Sequence, residues 1–157
     1  MSRRAVAPVV GVVLMLAVVV TLAGVVAVFV VGIGGQTDDG PSAVISADRG
    51  NGDQYGNPKF TFVHESGDPI DTRDLTVRVF VDGQSIKHQP DVPFFSKTGF
   101  VSGPEGPFNS NTANKTWMAG EKASLTIAAS NTPQPTPGSE VTVKFYVNGT
   151  AAATARA

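Results

Sequence analysis

Five residues between positions 64 and 74 form a dense group that could carry acid/base chemistry or hold a metal: His64, Glu65, Asp68, Asp71 and Asp74. Their spacing matches neither the paired histidines of a zinc helix nor the ligand pattern of an EF-hand loop. Asp68-Pro69 and Asp71 fit turns better, with their side chains accepting bonds from nearby backbone N–H groups; a bound calcium ion is the competing expectation. His88 stands alone beside the end of a strand-like run, where a structural or solvent role is expected. No nucleophile elbow, phosphate loop or glycosidase carboxylate pair occurs. The absence of cysteine excludes a thiol nucleophile, a disulfide framework and cysteine-ligated metal. The expectation is a protein that is not an enzyme and needs no cofactor or metal.

Two asparagines could instead be modified. Asn114-Lys115-Thr116 and Asn148-Gly149-Thr150 are acceptor sequons for N-linked glycan, whereas Asn131-Thr132-Pro133 lacks the required third residue. Both sequons fall in expected loops, and Asn148 belongs to a hairpin tip.

The element that decides where these groups act is the run from Val6 to Ile33. Its 28 residues carry no charge, and 13 are valine. As a helix rising about 1.5 Å per residue it would span roughly 42 Å, against roughly 30 Å for the hydrocarbon core of a bilayer. Helix is the only state in which one lone spanning segment satisfies its own backbone. Arg3 and Arg4 stand at its N-terminal edge and by the positive-inside rule stay cytoplasmic, which places residues from Gln36 onward outside the cell. The run is about twice the length of a secretory signal core, and it starts too soon after the arginines for a twin-arginine signal. Cleavage after Gly32 to Gly35 and an uncleaved anchor both remain open on these grounds. Pro8 suits a first helical turn, while Gly11 and Gly24 offer small surfaces for close helix approach.

Arg3-Arg4-Ala5 followed by Val6-Ala7-Pro8-Val9-Val10-Gly11-Val12-Val13-Leu14-Met15 resembles the N-terminus of archaeal type IV pilins, of the haloarchaeal kind. The segment His64 to Asp71 with Asp74-Leu75-Thr76-Val77 resembles a recurring stretch of the same proteins, as Trp117-Met118-Ala119-Gly120-Glu121 does less closely. The resemblance implies that a prepilin peptidase cuts between Ala5 and Val6, so Arg3, Arg4, Ala5 and Val6 form the cleavage site. It also implies that the retained helix then packs in a filament core, with Pro8, Gly11, Leu14 and Gly24 at the contacts. The implied partners are further copies of the chain in a helical filament and the membrane before assembly, with the assembly ATPase and platform protein engaged indirectly. The expected location is the cell membrane and then an extracellular pilus serving surface adhesion. The glutamate that bacterial pilins carry at the fifth mature position is absent, that place being Val10, so a charge-paired docking of subunits is not implied. A single-pass anchored binding module, or a minor pilin that primes the filament, is the alternative.

Beyond the two arginines, 10 basic residues stand against 13 acidic ones, a formal charge of −3. No basic stripe exists to hold nucleic acid. The expected organisation is a leader at 1–5, a helix at 6–35, a flexible neck at 36–41 and an exported head at 42–157. From Ser42 the hydrophobic period becomes two. Strands are expected at 43–47, 59–64, 75–81, 84–88, 123–128, 141–147 and 151–156, with hairpins at Asp82-Gly83 and Asn148-Gly149. The expected fold class is therefore α+β: one apolar helix, then an antiparallel, immunoglobulin-like β-sandwich. The segment from Gln89 to Trp117 breaks the pattern with four prolines and Phe94, Phe95, Phe100 and Phe108. Its aromatics are expected to plug one end of the sandwich, or else to form a contact surface.

Overall fold

The computed structural model describes residues 6–34 and 40–157 of the chain. They fall into two compact units divided at Asp38/Asp39, each treated separately below. Arg3, Arg4, Ala5 and most of the expected neck lie outside the described residues.

The first unit contributes one helix, α1 (Val6–Gly34, 29 residues). Pro8 sits in the first turn, where the N–H that proline lacks would have had no helical partner. The hydroxyl of Thr21 donates within the helix to the carbonyls of Ala17 (3.0 Å) and Val18 (2.9 Å), so a polar group in an apolar run needs no outside partner.

The second unit is all β. Its strands are β1 (Ala43–Asn51), β2 (Pro58–Gly67), β3 (Ile70–Asp71), β4 (Leu75–Val81), β5 (Gln84–Ser85), β6 (Thr116–Trp117), β7 (Lys122–Thr126), β8 (Val141–Val147) and β9 (Thr150–Arg156). They form a three-stranded sheet in the order β1-β2-β7, a four-stranded sheet in the order β5-β4-β8-β9, and the short pair β3-β6, antiparallel throughout. In immunoglobulin lettering these orders are A-B-E and C′-C-F-G, so the expected sandwich is found.

Alternation explains why each strand has one buried face. Phe60, Phe62 and His64 of β2, with Ala123 and Leu125 of β7, turn inward from the first sheet. Leu75, Val77, Val79 and Val81 of β4 and Val141, Val143, Phe145 and Val147 of β8 turn inward from the second. Phe62 and Phe145 meet edge to face across the gap, centroids 5.4 Å apart, and Trp117 closes the group at 5.2 Å from Phe108 and 5.8 Å from Phe145. Both expected hairpins form with left-handed backbone, at Asp82 (φ 49°) and Gly83 (φ 79°) and at Asn148 (φ 49°) and Gly149 (φ 83°). That geometry matches the right-handed twist of the strands they join.

Within the segment from Gln89 to Trp117, residues 100–105 run along the free edge of β7, and Thr116–Trp117 pair with β3 as β6. Val101 N–H donates to Thr126 O (2.9 Å), and Glu105 and Ser124 exchange backbone bonds at 3.2 Å. Phe94, Phe100, Phe108 and Trp117 are buried, as the first expectation had it, while Phe95 is half exposed. A further edge is covered by a side chain: the Gln89 amide accepts from Val79 N–H (2.7 Å) and donates to Val79 O (2.9 Å), standing in for a strand residue where β5 has already ended.

Candidate functional site

The candidate site is the surface of α1. A surface helix of a globular domain carries an apolar stripe and a polar face, but α1 is apolar all round. From Pro8 to Val26 it is long and apolar enough to cross a membrane, and the chain covers none of that stretch. Val12 (69% exposed), Val13 (59%), Leu14 (62%) and Met15 (73%) follow one another 100° apart around the axis, so no one face is sheltered. At 100° per residue Gly11 and Gly24 lie roughly 140° apart around the helix. Neither has any atom within 4 Å of the place a Cβ would occupy. Two small notches on different sides suit more than one neighbouring helix, whereas a simple pair would need both on one seam. Pro8 and Leu14 are likewise exposed, each about 60° from Gly11 around the axis.

The cluster from His64 to Asp74 is dispersed by the fold. His64 follows Phe60 and Phe62 into the core, where its Nδ1 lies 3.1 Å from Trp117 O and its Nε2 has no partner. Glu65 accepts from the Ser46 hydroxyl (2.6 Å), and Asp68 accepts from Ser42 N–H (3.1 Å) at the far end of β1. Asp71 makes the expected turn, accepting from Arg73 N–H (2.9 Å) and from the Arg73 guanidinium (2.5 Å). Those bonds pull its carboxyl down to about 2. Among the described residues no three His, Asp or Glu side chains converge as a metal would require. The sequence signal that would have placed His64 was its parity with Phe60 and Phe62, which outweighs its nearness to the acids.

Both sequon asparagines are exposed. Asn114 accepts from Thr116 N–H (2.9 Å) in a local turn, and Asn148 occupies the tip of the β8–β9 hairpin. Asn131, which the sequence marks only as an incomplete sequon, has a structural role. Fully buried, it accepts from His88 N–H (3.0 Å) and donates to the carbonyls of His88 (2.8 Å) and Gly99 (3.2 Å), which ties three loops together. His88 is thereby part of the framework.

A long exposed apolar helix followed by an antiparallel β head is the layout of a pilin-like protein, and comparison agrees at the N-terminus. Residues 4–45 match the family described as archaeal type IV pilin, N-terminal. That match spans the apolar helix and reaches the first residues of β1, and the likeness is to those residues. Among solved structures, the archaellum periplasmic stator protein FlaG from Sulfolobus acidocaldarius is similar at 12% identity and a TM-score of 0.40, over 73% of this chain and 97% of that one. No curated protein sequence matches the chain.

Proposed function

We propose that the protein is a structural subunit of an archaeal type IV pilus. A prepilin peptidase removes residues 1–5 by cutting between Ala5 and Val6. The helix from Val6 waits in the membrane and then packs with its copies in the filament core, through the notches at Gly11 and Gly24 and the surfaces of Pro8 and Leu14. The β head faces outward, carries glycan on Asn114 and Asn148, and serves adhesion to surfaces. The observation that carries this reading is that α1 is uncharged and uncovered on every side, which only lipid or other helices can satisfy. Removing the arginines has a physical purpose: each costs about 2.5–3.5 kcal/mol at the centre of a bilayer, so the cut frees the helix to be drawn out.

The test is the mass and N-terminal sequence of the protein sheared from cells, beside a strain lacking prepilin peptidase. The expected result is a mature end at Val6 in sheared filaments, absent without the peptidase. An intact N-terminus that stays in the membrane fraction of both strains would replace the reading with a singly anchored module.

A further inference from the structure

The outward face of the β5-β4-β8-β9 sheet departs from the rule that opposite charges pair across strands. Alternation turns Thr76, Arg78 and Phe80 of β4 and Thr142, Lys144 and Tyr146 of β8 away from the core. The register sets Arg78 directly opposite Lys144, and Thr142 opposite Arg156 of β9. Like charges in that position destabilise a sheet. Relief within the head is slight. Lys144 Nζ lies 5.3 Å from the centre of the Phe80 ring, and Glu140, beyond the end of β8, comes only within 3.9 Å of Arg156. No acidic residue occupies an outward position of β4, β8 or β9. A like-charged, half-apolar surface kept at a cost to the fold is one that an acidic partner would complete.

The chain itself supplies such a partner. With Arg3 and Arg4 set aside, and then Arg78, Lys144 and Arg156, 7 basic residues remain against 13 acidic ones, a formal charge of −6. The opposite face of the sandwich has the matching character toward its β1 edge. Asp48 and Glu65 project there beside Val63 and Val44, the latter 59% exposed. Lys59 on that face is already neutralised by Glu105 at 2.7 Å, and Lys122 of β7 stands directly opposite Val63, so the acidic character of the patch lies at Asp48 and Glu65.

We propose that the outward face of β4 and β8, with Arg78, Lys144, Phe80 and Tyr146, docks on the outward face of β1 and β2 of a second copy, with Asp48, Glu65, Val44 and Val63. The proposal rests on the filament reading above and adds the contact that the heads make. The two surfaces are on opposite sides of one sandwich, so the contact is head to tail. It need not close on itself and can propagate from copy to copy.

Cysteine cross-linking in assembled filaments tests this, since the chain has no cysteine of its own. Lys144→Cys is combined in one chain with Asp48→Cys, Val63→Cys or Glu65→Cys, and a short bis-maleimide is applied to sheared filaments. The expected result is a ladder of multimers from at least one double variant and none from any single variant. A cross-linked dimer from Lys144→Cys alone would show the face meeting its own kind and overturn the proposal. Filaments that assemble with a mature Val6 end yet give no ladder from any double variant would overturn the contact and leave the subunit reading intact. Failure of the unaltered chain to form filaments, with its leader uncut, would remove both. In parallel, Arg78→Glu with Lys144→Glu is expected to lower the yield of sheared filament, and adding Asp48→Lys with Glu65→Lys to restore it, which a folding defect would not allow. Binding of intact filaments to immobilised anionic polysaccharide, lost with Arg78→Glu and Lys144→Glu, would assign the face to an acidic glycan and overturn the head-to-tail contact.

Discussion

The carboxamide of Asn131 holds together three stretches of chain that no strand pattern relates: its own loop, the end of the run at His88, and Gly99. Replacing it with alanine leaves the half-buried His88 N–H and carbonyl without their partner and takes one of two bonds from the buried Gly99 carbonyl, which keeps Ala128 N–H. Asn131→Ala is therefore expected to lower stability by roughly 2–4 kcal/mol. The measurement is a urea titration of the detergent-solubilised chain followed by fluorescence of Trp117, the single tryptophan, which is fully buried. At Asp71 the expectation concerns pH. Its folded carboxyl titrates at about 2 against an ordinary 3.8, chiefly through the Arg73 side-chain bond. The depressed value means that the pair's contribution is fully present above pH about 4 and is lost as pH falls through about 2. Carbonyl-carbon NMR should give that low midpoint, and Arg73→Ala should move it back toward the ordinary value. Asp71 was legible because an Asx turn is local. Asn131 was not, because its partners are 32 and 43 residues away in sequence.

Among the elements, β4 and β8 lie where alternation placed them, Leu75–Val81 and Val141–Val147. One wall of each is wholly core, so the period-two signal is undiluted. The pair β3-β6 went unseen since two-residue strands have no period to read. The irregular run beside β7 went unseen since its backbone bonds join residues that only the finished fold brings together. The expected strand at 84–88 shrinks to Gln84–Ser85, because the chain turns away and leaves the Gln89 side chain to finish the edge. Gln89→Ala should cost about 1–2 kcal/mol by unpairing Val79 N–H, measurable by the same titration. For α1 the expectation is about packing alone. Gly11→Leu or Gly24→Leu keeps the segment apolar and its insertion intact, so membrane fractionation should be unchanged. Either fills a notch, and sheared filaments should be reduced or absent.

At the scale of the molecule, the two units divide the work by chemistry. The helix is uncharged and the head carries all the charge apart from Arg3, Arg4, Asp38 and Asp39, so changes in one should leave the other's behaviour largely untouched. Asn148→Gln should remove one glycan's mass from the sheared protein while leaving its mature end at Val6, which intact-mass measurement would show. The layout of helix and head could be read from the change of period alone. The charged face of the second sheet could not, since β4 and β8, which bring Arg78 opposite Lys144, are far apart in sequence.

The valines of α1 have one more consequence. A valine in a helix is already held in one χ1 rotamer about 90% of the time, so it loses little freedom when a neighbour presses on it. Leucine or methionine at the same places would be as greasy but would surrender side-chain entropy of about 0.5–2 kcal/mol each on being fixed. With 13 valines in the run, the ordering cost of joining a bundle is met largely before any neighbour arrives. Such a helix can pass from lipid to protein surroundings, and back again, without much change in how its surface moves.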